Sequence, residues 1–241
     1  MRCLKLFGEE HLSTADSYDG LGVTHHSLGD FKAALDCDQH ALEICLKLFG
    51  EEHLSTADSY HGLGVTYHSL GDFKVALDSL QHALEIRLKL FGEEHASAAD
   101  SYHNLSATHY SLGDFKAALD SKKHALEIRL KLFGEEHVST ADSYHNLGVT
   151  HHSLGDFKAA LDFVQHALEI PLKLFGEEHA NTANYYELCV TQHSLGDSTA
   201  ALDSVWHALE TRLNLFGEEH ASTANSYESF FFTQLCLGDL D

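Results

Sequence analysis

Twenty-one histidines in 241 residues give this chain many side chains able to ligate a metal or carry a proton near neutral pH. Their spacing argues against both uses. His61 and His68, like His145 and His152, stand seven residues apart, which on a helix is about 10.5 Å of rise. Zinc draws each ligand nitrogen to about 2.1 Å, so one ion cannot join such a pair. The adjacent pairs His25-His26 and His151-His152 point in different directions around a helix. Metal uptake would need imidazoles from neighbouring helices. Five cysteines, Cys3, Cys37, Cys45, Cys189 and Cys236, show neither zinc nor redox spacing. An odd count with no apolar leader reads as reduced thiols in a cytoplasmic protein. No nucleophile is placed beside a base, and no glycine loop is shaped for phosphate. The expectation is a non-enzymatic chain with no metal and no cofactor.

What holds these residues in place is a repeat. The string Phe-Gly-Glu-Glu-His begins at Phe7, Phe49, Phe91, Phe133, Phe175 and Phe216, at spacings of 42, 42, 42, 42 and 41. A fixed period of this size belongs to stacked solenoids, in which each unit buries its apolar face on the next. The repeats tile the chain and leave no room for a separate domain. With 44% hydrophobic residues there is enough apolar material for a continuous core. No run approaches the ~18 apolar residues of a membrane span.

One repeat reads as two helices. In the second, Ser55-Thr56-Ala57-Asp58 has the form of a capping box. Ala57, Tyr60, Leu63, Gly64 and Tyr67 then follow on one helical face. Gly71 ends that helix and Asp72 caps the next. Phe73, Ala76, Leu77, Leu80, Ala83, Leu84, Leu88 and Phe91 form a second stripe, and Gly92 closes it. The Glu-Glu-His turns read as solvated connectors. Pairs are expected near 12–49, 54–91, 96–133, 138–175 and 180–216, with a half repeat over 221–241, as one domain.

The pattern Tyr60-x-x-Leu63-Gly64-x-x-Tyr67, Gly71-Asp72-Phe73-x-x-Ala76, Ala83-Leu84-Glu85 resembles the tetratricopeptide repeat. The extra segment Ile86 to His95 is similar to the 42-residue repeats of kinesin light chains and nephrocystin-type proteins. The resemblance implies an all-α, right-handed superhelical solenoid of antiparallel helix pairs. It implies a scaffold for peptide or protein segments in a concave groove lined by the first helix of each pair. The groove positions it points to are Asp100, His103, Asn104, Ala107 and Tyr110, and then Asp142, His145, Asn146, Val149 and His152. Asn104 and Asn146 match asparagines that bond an extended peptide backbone, for which an amide offers both donor and acceptor. The matching Gly20 and Gly62 cannot do this, so the clamp is expected in the third and fourth repeats.

Departures from the pattern carry their own expectations. The close-packed glycine becomes Ser106, Cys189 and Phe231 in three repeats. The inward position of Leu80 becomes Asp38, Lys122, Val164 and Val205, and both charged residues are expected to reach solvent. Pro171 in a helix interior is expected to kink it at a cost of about 3 kcal/mol. A residue is missing beside Glu187 in the helix over 184–194, and local relief is expected over 185–188. The net charge of −22 is evenly spread. It disfavours nucleic acid and membrane as partners and favours basic or neutral protein segments. Histidine protonation would cancel most of that charge, which predicts self-association near about pH 5 to 6. A structural array that contacts itself through the aromatic last helix, or a fragment of a multidomain signalling protein, is the alternative reading.

Overall fold

The computed structural model describes residue 8, residues 10–176 and residues 185–237. They form eleven helices: α1 (Leu12–Ser27), α2 (Phe31–Phe49), α3 (Leu54–Leu70), α4 (Phe73–Phe91), α5 (Ala96–Ser111), α6 (Phe115–Phe133), α7 (Val138–Ser153), α8 (Phe157–Phe175), α9 (Tyr185–Ser194), α10 (Ser198–Phe216) and α11 (Ala221–Leu237). Odd-numbered helices are the first of each pair and even-numbered ones the second. The chain divides into two compact units, residues 1–128 and 129–241, with the division inside α6.

In the first unit the core is shared by successive helices. Leu80 and Leu84 of α4 meet Ala98, Ala99 and Leu105 of α5 and Ala125 and Ile128 of α6. A second cluster joins Ala15 and Tyr18 of α1 to Ile44 and Cys45 of α2. In the second unit Val164 and Leu168 of α8 pack on Leu188 and Tyr185 of α9. Cys189 of α9 packs with Ala201 and Val205 of α10 and Phe230 of α11. Alanine at each crossing lets helices approach closely, and the larger chains fill the space beside them.

The starts of the first helices are not where the capping box places them. His53 is the cap of α3, and its Nδ1 accepts the backbone N–H of Ser55 at 3.1 Å. His11, His95, His137 and His220 do the same for α1, α5, α7 and α11. The rings also stack on the phenylalanine that opens the motif, at 4.1 Å for Phe49–His53 and 4.5 Å for Phe91–His95. Thr14, Thr56 and Thr140 return their hydroxyls to the carbonyls of Gly8, Gly50 and Gly134, each at 2.8 Å. The Glu-Glu-His turn is therefore a built joint, although its glutamates are exposed as expected of a connector. Ser55 cannot serve as cap because the helix has already begun: the Ala57 N–H bonds the His53 carbonyl at 3.0 Å.

The second helices start as expected. Asp30, Asp114, Asp156 and Asp197 accept a backbone N–H three residues on, although Asp72 makes no such bond. Gly71 ends α3 at φ +84°, a conformation that L side chains rarely adopt. Helix α8 runs on through Pro171 to Phe175. The Asn184 start expected for the fifth first helix lies outside the described residues, and α9 is present from Tyr185.

The two varying positions of the repeat face each other. A Cβ on Gly64 would stand 2.6 Å from Leu80 Cγ, and one on Gly148 2.6 Å from Val164 Cγ2. Gly22 is pressed in the same way by the Asp38 carboxylate. Asp38 and Lys122 do not reach solvent, against expectation; they are 5% and 8% exposed. Each charge finds local compensation at the crossing instead. Thr66 donates to Asp38 Oδ2 at 2.6 Å, and the Lys122 ammonium lies 5.7 Å over the Tyr110 ring. Burial still pulls the Lys122 amine down to about 8 and pushes the Asp38 carboxyl up.

Candidate protein-docking site

The groove residues predicted from sequence lie on first helices, with polar or half-buried side chains. In the first unit, Asp100, His103, Asn104, Ala107 and Tyr110 are on α5, with Asp100 and Ala107 exposed. In the second unit, Asp142, His145, Asn146, Val149 and His152 are on α7, with Asp142 exposed. A helical stripe of period 3.6 keeps these positions off the core, because Leu105 and Ser106, or Leu147 and Gly148, take the buried side. The two sets belong to different units.

The amides already have internal partners. Asn104 Nδ2 lies 2.7 Å from His61 Nε2 on α3. A donating amide requires the lone pair of Nε2, which fixes the neutral imidazole with its proton on Nδ1. Burial, helped by the nearby Arg87 charge, lowers the basicity of His61 in the same direction. Asn146 Nδ2 donates to the Asp142 carbonyl of its own helix at 2.7 Å. Beside it, His145 Nδ1 is buried without a hydrogen bond.

Other contacts sew the first helices together. His26 Nε2 meets Ser69 Oγ at 2.8 Å, His68 meets Ser111 at 3.0 Å, and His152 meets Ser194 at 2.9 Å. A guanidinium ties α4, α6 and α10 each to the next first helix. Arg87 Nη1 donates to Ser101 Oγ at 2.7 Å, with its other arm on Asp58 at 2.9 Å. Arg129 and Arg212 donate to Ser143 and Ser226 at 2.8 and 2.7 Å. Where Pro171 removes the arginine, the serine is also gone: Tyr185 stands there and packs against Leu168 and Leu188. Sequence reading missed these links, yet a signal existed. Histidine, serine and arginine recur at one register of the repeat, and separations of 42–43 and 14 residues join them.

Two cavities open along first helices. One of about 220 Å³, in the first unit, is lined by Gly22, Val23 and His26 of α1, Asp38 of α2, and His61, Gly62 and Val65 of α3. The other, of about 370 Å³, lies between α9 and α11 in the second unit, beside Tyr186, Cys189, His193 and Phe232. Among the described residues no three His, Cys, Asp or Glu side chains converge as a metal-holding group. Among them also, no helix is long and apolar enough to cross a membrane.

Hairpins of one 42-residue design, joined by capped turns and alanine crossings, define a helical repeat protein. The tetratricopeptide repeat profile matches residues 2–45, 28–89, 71–131 and 122–173. The chain belongs to the tetratricopeptide repeat family. It is similar to a solved structure from Podosopora anserina described as a kinesin light chain with nearly identical TPR-like repeats. That likeness has 22% identity and a TM-score of 0.77, and covers 86% of this chain and 99% of the other. BtubC (BKLC) from P. vanneervenii is 25% identical at a TM-score of 0.76, covering 86% and 82%. The apo form of RapI matches at 17% identity and a TM-score of 0.75, covering 92% of this chain and 58% of that one. No curated protein matches. The structural likenesses show an all-helical solenoid, and membership of the tetratricopeptide repeat family indicates a scaffold for protein interaction.

Proposed function

We propose that this chain is a non-enzymatic, cytoplasmic scaffold that holds segments of other proteins, basic or neutral in charge, against the exposed faces of its first helices. The observation that carries this reading is how each repeat divides its residues. The apolar side of α3, α5 and α7 goes into the core, while Asp58, Asp100 and Asp142 stay exposed on the opposite side. Half-buried His61, His103 and His145, with Asn104 and Asn146, line the same side and offer donors and acceptors suited to a peptide backbone. The net charge of −22 selects against acidic segments. Affinity capture from a cytosolic extract tests this. The native chain should retain a defined set of proteins, and Asn104→Ala with Asn146→Ala should release most of them. Identical retention by both would contradict the assignment of the groove.

A second reading rests on α11, where Phe231 and Phe232 are 56% exposed and Leu235 52%. Such a patch favours contact with another copy of the chain. Sedimentation at micromolar concentration decides, since a clean monomer removes this reading.

A further inference from the structure

Asp38 occupies an inward position that holds Leu80, Lys122, Val164 and Val205 in the other repeats, and it brings a carboxyl group there, with the His26 imidazole as its nearby cationic influence. The side chain is 95% buried (5% exposed), yet it lines the first unit's cavity. Its Oδ2 accepts the Thr66 hydroxyl, and among the described residues its Oδ1 accepts no hydrogen bond and no lysine or arginine pairs with it. Thr66 has left its usual bond to make that contact. Thr24, Thr108, Thr150, Thr191 and Thr233 all donate to the carbonyl four residues earlier on their own helices. The room around Oδ1 comes from two glycines. A Cβ on Gly22 would collide with Oδ1, and one on Gly62 would reach 3.7 Å from it. At the position of Gly62 the next two repeats carry Asn104 and Asn146.

We propose that this cavity receives a lysine or arginine side chain of a partner protein, with its cationic head on Asp38 Oδ1 and its methylenes between Val23 and Val65. Val23 on α1 is exposed and Val65 on α3 half-buried, so both offer apolar surface to a long stem. A volume of about 220 Å³ admits one such side chain and excludes a folded element. The field is of the right sign. Asp19 is pushed up to about 6 by burial and by Asp38, Asp16 and Asp58, so carboxylates crowd this part of the first unit, with Arg87 answering Asp58. Two imidazoles flank the cavity. His61 is held neutral by Asn104, and His26 bonds Ser69. A buried carboxylate with an open oxygen gains most from a donor that brings full positive charge. A neutral side chain of the same shape would lose that gain.

This subsite rests on the scaffold reading above and names one contact within it. The test is a titration of isotope-labelled chain with acetyl-Gly-Arg-Gly-amide, following the valine methyl resonances, beside the same peptide with citrulline in place of arginine. The arginine peptide should shift Val23 and Val65 saturably, and the citrulline peptide should not. Asp38→Asn should weaken the arginine response by about tenfold. Asp78→Asn, an equal charge change at an exposed site on α4, should alter it less than about twofold. Gly62→Asn, which installs the residue native at 104 and 146, should weaken it as well and decides the matter should Asp38→Asn fail to fold. Equal responses to the two peptides, or an undiminished response in Asp38→Asn or Gly62→Asn, would overturn the proposal. If partners are still captured by Asp38→Asn in that case, the scaffold stands and only this subsite is removed.

Discussion

At the scale of single residues, the histidines are structural before they are anything else. One set caps helices through Nδ1 and stacks on phenylalanine. A second bridges first helices to serines, and a third lies against tyrosines, as in Tyr60–His82 at 5.2 Å. A cap of this kind exists only while Nδ1 keeps its lone pair. Replacing His53 by alanine removes both cap and stack and should lower stability by about 1–3 kcal/mol. His53→Asn restores an acceptor without the ring and should recover roughly half of that loss, read from urea midpoints. Glycines divide just as sharply. Gly64→Ala forces a Cβ against Leu80 and should cost about 1–3 kcal/mol. Gly20→Ala meets nothing within 4 Å and should stabilise by about 0.5–1 kcal/mol through helix propensity alone. Thermal melts of the two variants moving in the same direction would contradict the packing described.

At the scale of helices, the crossing of a first helix with its own second helix is where repeats differ. Gly64 with Leu80 and Gly148 with Val164 are close apolar pairs, whereas Gly22 faces Asp38 and the third repeat buries Lys122. The Lys122 amine sits at about 8, below its ordinary 10.5. Folding therefore favours the neutral form. Its contribution to stability is fully present above pH 10.5 and is lost as pH falls through about 8, so at pH 7 the buried ammonium carries a desolvation cost that the Tyr110 ring partly offsets. Lys122→Met should raise stability by about 1–2 kcal/mol at pH 7. The gap between variant and native chain should close as pH approaches 10.5, measured by parallel denaturation curves. A variant weaker than native at pH 7 would show that the ring contact with Tyr110 outweighs desolvation.

At the scale of the molecule, sequence carried the fold farther than the site. The 42-residue period, the apolar stripes and the Gly-Asp breaks have their counterpart in the all-helical run α1 to α11. A period is a property of the chain and survives any detail of packing. The caps were misread because Ser55 and Asp58 imitate a motif that His53 pre-empts two residues earlier. Asp38 and Lys122 were misplaced because helical register tells which way a residue points but not whether water can follow it there. The amides of Asn104 and Asn146 lie on first helices, yet their internal bonds to His61 and Asp142 depend on distances that no spacing encodes.

The central claim is that partners are held on the first helices. Photo-cross-linking tests it most directly, with benzoylphenylalanine placed singly at Ala107 or Val149 on first helices and at Asp120 or Asp162 on second helices. The account predicts adducts with other proteins from Ala107 and Val149, and none above background from Asp120 and Asp162. Adducts arising chiefly from the second-helix positions would contradict it.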